Sequence, residues 1–343
     1  MTAINIFMPG DATPCDSYGY LGLELARHLT RLGYYVNVIP QRNRYMPGQD
    51  AEIVAILDKP PQMGAGGIVL GWPPNYKLFD IPPGPWLAIN MFETTKPPMG
   101  WAGAMNECNA VITPSVFCRD VFVANGVTAP IHVAPLGVGE LYQYVERKAD
   151  RPLTFLAFMD RGRRKGWWTA ARAFVAAFGD SSDHRLILKG RESQLPMAMS
   201  NPNITTIERD MMPDELYELY LSADVLINPH RGEGFGLLPR EFSATGGISV
   251  TTAWSGTAEG IEAWGVPIDY KLVPARHDDA HLDGQDLGMW AEPDFNHLVS
   301  ILREIDDCRG TYRQQARGAA QRVREMYRWD RFAAGVEKAW SGL

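Results

Sequence analysis

Cysteine is sparse in this chain, four residues in 343, and Cys15, Cys108, Cys118 and Cys308 form no metal-type pair. Free thiols in a reducing cytoplasm are the simplest reading. Long hydrophobic runs are missing too, since no apolar stretch approaches the roughly 18 residues of a membrane span. The opening "MTAINIFMPGD" lacks the apolar core and cleavage site of a secretion signal and reads as a first strand. Basic excess is absent: the net charge of −7 argues against a broad nucleic-acid surface, though a local basic groove remains open. Solenoid repeats and low-complexity tracts are absent as well. These absences lead to an expectation of a soluble protein, cytoplasmic or peripheral to a membrane.

What is present is the balance of a globular protein, 45% hydrophobic and 21% charged, in a chain long enough for two domains with cores of their own. Short apolar runs rich in β-branched residues recur: "INIFM", "YYVNVIP", "AEIVAIL", "GGIVLGW" and "AVITPS" in the first half, "LTFLAFM", "RLILKG", "NITTIE", "DVLINPH" and "GISVTT" in the second. Amphipathic stretches separate them, as in "WWTAARAFVAAFG", where Trp167, Ala171, Phe174 and Phe178 share one face. Strand and helix in alternation predict an α/β protein with parallel sheets covered by helices. The polar stretch "GVGELYQYVERKADRP" predicts the break, giving domains at 1–145 and 151–317, with a C-terminal helix at about 318–343 that packs back on the first. Two such halves predict a cleft at the carboxyl ends of their strands, where α/β sheets bind ligands.

The segment "DVLINPHRGEGFGLLPREFSATG" reads as strand, loop and helix. Pro239 suits the first helical turn, where a missing N–H costs nothing. A glycine loop entering a helix offers backbone N–H groups and the positive end of the helix dipole to phosphate or sugar oxygens. Glu233 hangs in the loop and Glu241 stands one turn into the helix, eight positions on. Carboxylates accept paired hydroxyl hydrogen bonds, so a ligand with vicinal diols fits the pair better than a metal does. Taken alone, the same residues read more readily as a turn followed by a solvated helix-start carboxylate. A second segment tips the balance. "FMDRGRRKGWWTAARAF" places Arg161, Arg163, Arg164 and Lys165 at the head of a helix, cations suited to a diphosphate leaving group.

With both segments in view, the sequence resembles the GT-B glycosyltransferases, and more closely glycosyltransferase family 4, the retaining "group 1" enzymes. "EGFGLLPREFSATG" is similar to that family's glutamate–seven–glutamate signature, and "RKGWWTAARAFVAAF" to its basic turn and helix. "LYELYLSADVLINPHRGEGFG", "MFETTKPPMGWAGAMNECNAVITPSVFCRDVFVANGV" and "IHVAPLGV" resemble further family segments, so the similarity covers nearly the whole chain. The resemblance implies two Rossmann-like domains with parallel sheets facing a central cleft. It implies that Glu233 lies near the transferred sugar, that Gly234, Phe235, Gly236 and Leu237 bind the donor, and that Glu241 holds the ribose hydroxyls. Lys165 would contact the diphosphate together with Arg161, or in its place Arg163 or Arg164. Gly19, in "SYGYLG", would let the first domain approach the same diphosphate. Where the family often has a histidine, this chain reads "MFETT", so Glu93 or Thr94 would line the acceptor side.

The implied activity is transfer of a sugar from a nucleotide-diphosphate sugar to an acceptor hydroxyl with retention, by a front-face route or by its rival, double displacement. The acceptor stays open among glycans, lipid-linked sugars, small molecules and a modified DNA base. A GT-B epimerase, a phosphorylase and a non-catalytic nucleotide-sugar-binding protein are the alternatives. No cofactor or metal is expected, because cationic side chains serve the leaving group. His277, Asp278, Asp279, His281 and Asp283 read as a solvated loop rather than a metal site. His132 reads as a packed core histidine, His230 as a neighbour of the signature loop, and Trp254, Ser255 and Gly256 as a loop that touches donor or packs on other loops.

Overall fold

The computed structural model describes residues 2–62, 65–79, 81, 83–148, 151–159, 162–191, 201–276 and 282–343. The chain divides into two compact units, one made of Met1–Phe92, Lys96–Gly137 and Tyr327–Leu343, the other of Glu93–Thr95 and Val138–Met326.

The first unit runs β1 (Ala3–Met8), α1 (Ser17–Arg31), β2 (Tyr35–Pro40), α2 (Ala51–Leu57), β3 (Gly66–Leu70), β4 (Trp86–Ile89), α3 (Trp101–Met105), β5 (Ala110–Thr113), α4 (Val116–Ala124) and β6 (Ile131–Val133). Its strands form one parallel sheet in the order β2-β1-β3-β4-β5-β6. Central strands such as β3 are buried along their whole length, which explains their unbroken apolar runs. Two expectations fail here. "AEIVAIL" is helix α2 rather than a strand, because the Asp50 side chain accepts from the Ile53 N–H and caps it. His132 is exposed, not packed, because β6 is an edge strand.

The second unit follows the same plan with β7 (Leu153–Phe158), α5 (Trp167–Phe178), β8 (His184–Gly190), β9 (Ile204–Glu208), α6 (Pro213–Ser222), β10 (Val225–Asn228), α7 (Leu237–Ala244), β11 (Ile248–Thr252) and β12 (Val266–Ile268). The parallel order is β12-β11-β10-β7-β8-β9. An antiparallel ribbon follows, β13 (Tyr270–Pro274) with β14 (Met289–Pro293), and then α8 (Phe295–Asp307) and α9 (Arg309–Met326). Phe155, Phe174, Leu186, Val225, Val250, Leu298 and Leu302 form its core. The last helix, α10 (Trp329–Trp340), belongs to the first unit and packs on α1.

The division differs from the expected boundaries for local reasons. Residues after Gly137 are fastened to the second unit: the Val145 N–H donates to the Thr245 carbonyl, and the Tyr142 ring packs edge-on against Tyr217 and tilted against Tyr220. Arg147 is buried and donates to the carbonyls of Val145, Tyr220, Ala223 and Thr245. All of α9 stays with the second unit, where it packs on α7, so the return to the first begins at Tyr327 rather than near residue 318.

Candidate functional site

In the second unit, two strand ends feed the loops that carry the chemistry. After β7 comes the basic turn. Its Gly166 adopts φ +68° at the N-cap of α5, and a Cβ there would collide with the Pro229 carbonyl in the loop after β10. Only glycine allows that approach. Hydrogen bonds then join the two loops: the Arg231 N–H donates to the Arg164 carbonyl at 2.7 Å, and Arg164 Nη1 to the Gly232 carbonyl at 3.0 Å. Arg231 also makes a bidentate pair with Glu292, at 2.6 and 2.7 Å, which ties this loop to β14.

The joined loops bring together Lys165, Glu233 and Arg164, the last expected as an alternative to Arg161, and Glu93 meets them. Lys165 Nζ lies 2.6 Å from Glu233 Oε1, and Arg164 Nη1 lies 3.4 Å from Oε2. Burial alone would push the Glu233 carboxyl up, but Lys165 and Arg164 overcome it and hold the group at about 2. Glu93 joins from the tripeptide Glu93–Thr95. Its Oε1 lies 3.8 Å from Arg164 Nη1, and its backbone carbonyl rests where a side chain on Gly232 would be. Burial, reinforced by the charge of Glu233, raises the Glu93 carboxyl, and its Oε2 has no hydrogen-bond partner among the described residues. Thr94 is fully buried beside it in sequence, and Thr95 is paired with Met289 through both backbone and hydroxyl.

A third loop, after β11, supports Glu233 from behind. The Glu233 N–H donates to Ser255 Oγ at 3.0 Å, and the Gly256 N–H to the Glu233 carbonyl at 2.9 Å. Ser255 holds φ 62°, a strained conformation for a non-glycine residue, which this pair of contacts stabilises. The Trp254–Gly256 loop therefore packs on the signature loop, one of the two roles expected for it. His230 is fully buried with Nε2 2.7 Å from Thr257 Oγ1. Because that hydroxyl donates to a backbone carbonyl, it accepts from His230, leaving Nδ1 unprotonated and without a partner among the described residues. Burial, with the nearby cations, pushes the imidazole down to about 3, so it is neutral at physiological pH.

Helix α7 follows Gly236, which caps it at φ +82°. Its first turn presents the N–H groups that have no partner inside a helix, beginning at Leu237. Phe235 is buried against the helix, and a Cβ on Gly256 would strike the Gly234 carbonyl, so the loop after β11 comes this close only because residue 256 is glycine. Glu241 is 2% exposed, so it is not a solvated helix-start carboxylate. Its Oε2 accepts from the Tyr220 hydroxyl at 3.3 Å, Oε1 has no partner among the described residues, and burial raises the carboxyl to about 8.

The remaining expected residues fall elsewhere. Gly19 belongs to the first unit, where its N–H donates to Asp16 Oδ1 at 2.7 Å and starts α1, and a Cβ would strike the Thr13 carbonyl. Arg161 and the run His277–His281 lie outside the described residues. Among the described residues, no cluster of histidine, cysteine and carboxylate is placed to hold a metal, and no helix is long and apolar enough to cross a membrane. Sequence reasoning did not pick out Arg231, Tyr220 or Arg240. The last carries no signal in the sequence, because its burial comes from tertiary packing between Phe235 and Trp264.

No protein-family model matches the sequence, and no curated protein matches it significantly. Solved structures do. A sucrose-phosphate synthase from Thermosynechococcus elongatus superposes with a TM-score of 0.70 at 14% identity, over 100% of this chain and 99% of its own. WaaG, a glycosyltransferase of lipopolysaccharide biosynthesis, gives 0.66 at 15% identity, over 98% of each chain. A UDP-forming α,α-trehalose-phosphate synthase from Burkholderia xenovorans gives 0.67 at 11% identity, over 99% of this chain and 98% of its own. The fold is GT-B. In GT-B terms each unit is one Rossmann-like half, and the cluster around Glu233 lies at the carboxyl ends of β7, β10 and β11, the edge where such sheets bind ligands.

Proposed function

We propose that the protein transfers a sugar from a nucleotide-diphosphate sugar to an acceptor hydroxyl with retention of configuration. The observation that carries this reading is the Lys165–Glu233–Arg164 cluster at the head of two helices, in a chain that superposes along its whole length on glycosyltransferases. Departure of a nucleoside diphosphate builds negative charge on its outer phosphate. Lys165, Arg164 and the N-terminal amides of α7 would meet that charge, and stabilisation that grows as the bond breaks lowers the barrier. No metal or other cofactor is invoked.

Both cations rest on Glu233, so an incoming diphosphate competes with that carboxylate for them. Partial withdrawal of Lys165 and Arg164 frees Glu233 to accept hydroxyls of the sugar being transferred. The acceptor hydroxyl attacks from the face the diphosphate is leaving, and its proton passes to the departing phosphate oxygen, which gives retention without a protein nucleophile. At the far end, Glu241 takes the two ribose hydroxyls. Its Oε1 has no partner among the described residues, and a diol, which can both donate and accept, satisfies such a buried group.

The test is a donor screen. UDP-, GDP-, ADP- and TDP-sugars are titrated calorimetrically and followed by mass spectrometry, UDP-sugars first because one structural neighbour is UDP-forming. Selective binding with slow release of free sugar is expected. Epimerised or phosphorolysed product, or no binding by any of the four, would overturn the proposal.

A further inference from the structure

Among the described residues Arg240 is the largest fully buried side chain, and it sits in α7 directly beneath the signature loop. Nη1 donates to the carbonyls of Phe235 and Gly236, the latter at 3.3 Å. Nη2 reaches the Gly256 carbonyl at 2.9 Å and that of Glu259 at 3.3 Å. The guanidinium is sandwiched between two rings, with Phe235 at 4.1 Å and Trp264 at 4.6 Å. A single cation therefore gathers carbonyls from the loop after β10 and the loop after β11, the two segments already joined through Glu233, Ser255 and Gly256.

The geometry of the peptide group turns this into a statement about the site. A trans peptide is one rigid plane within which the C=O and N–H bonds point in opposite directions. Drawing the Phe235 and Gly236 carbonyls onto Arg240 turns the N–H groups of Gly236 and Leu237 to the opposite side of the loop. Those are the amides at the N-terminus of α7, where the helix dipole adds positive potential and no intrahelical acceptor competes. Gly236 permits the turn because it holds φ +82°, and Arg240 fixes it. We propose that Arg240 is a positioning residue whose hydrogen bonds to Phe235 and Gly236 aim the Gly236 and Leu237 amides at the diphosphate of the donor. The inference rests on the nucleotide-sugar reading above. A lysine has three donors and no plane, so it satisfies fewer of these carbonyls and lacks the fit between two rings.

The experiment titrates the full-length wild type, Arg240→Lys and Arg240→Met with UDP, GDP, ADP and TDP, and with the matching nucleosides by competition. Circular dichroism reports whether each variant is folded. Loss of well-aimed amides is expected to weaken the diphosphate about tenfold in Arg240→Lys, and further in Arg240→Met, with nucleoside affinity unchanged. If Arg240→Met fails to fold, Arg240→Lys decides. Folded variants whose diphosphate-to-nucleoside ratio equals that of the wild type would overturn the role of Arg240 and leave the nucleotide reading standing. A wild type that binds none of the four diphosphates would remove that reading, and this inference with it.

Discussion

Glu241 offers a test that needs no substrate. Its carboxyl rises from 4.5 to about 8 because burial penalises the charge, against which the Tyr220 hydroxyl is only a partial offset. A carboxyl raised on folding keeps its proton where the unfolded chain has already lost its own. The stability it contributes is therefore full below pH 4.5 and is lost as the pH climbs toward 8. Each pH unit inside that window costs about 1.4 kcal/mol, so moving from pH 5.5 to 7.5 costs about 3 kcal/mol. Glu241→Gln keeps the size and abolishes the titration. Whatever its new amide costs in packing is the same at both pH values and cancels from the comparison. Equilibrium urea unfolding at pH 5.5 and 7.5 measures the difference, with peptides from β10 and α7 followed by pulsed hydrogen exchange at one fixed labelling pH. The wild type is expected to lose about 3 kcal/mol relative to the variant across that interval. Parallel profiles for the two proteins would refute the reasoning.

Two further outcomes follow from other contacts. Glu233→Gln releases Lys165 and Arg164 from their carboxylate, so nucleoside-diphosphate affinity should rise by up to about tenfold while single-turnover transfer falls at least about hundredfold. Weaker binding with turnover kept would sink the assignment of Glu233. Arg147→Met strands the carbonyls of Tyr220, Ala223 and Thr245 inside the protein and should lower unfolding free energy by about 3 kcal/mol, read as a shifted urea midpoint. An unchanged midpoint would mean that those carbonyls find other donors.

The alternation of apolar runs and amphipathic stretches made the two sheets and their parallel strands legible, because periodicity and burial are local properties of a sequence. "VLIN" is β10, and "WWTAARAFVAAF" is α5 from first residue to last. The run "AEIVAIL" misled because seven apolar-rich residues fit a buried strand and a capped helix alike, and the decision lay with Asp50 outside the run. In the site, Glu233 and Lys165 were found by residue type and placed by their loops. That Arg164 is seen on Glu233 depends on Arg231 and Gly232 holding the turn, which no spacing reveals. Arg240 was passed over because a charged residue in a helix is ordinarily at the surface, and only tertiary packing between Phe235 and Trp264 makes it a core residue.

The tripeptide Glu93–Thr95 belongs to the second unit although Phe92 and Lys96, on either side of it, belong to the first. A gene fragment from Val138 to Met326 would thus encode the second sheet, all three loops and Arg240, and still lack Glu93. The first unit is divided in the same manner, since its last helix is translated after the whole of the second. Recombination by a single crossover cannot exchange one half of this protein for the half of a relative. It would deliver the incoming loops to a foreign residue at position 93, so a functional chimaera must carry that three-residue segment along with the unit whose chemistry it serves.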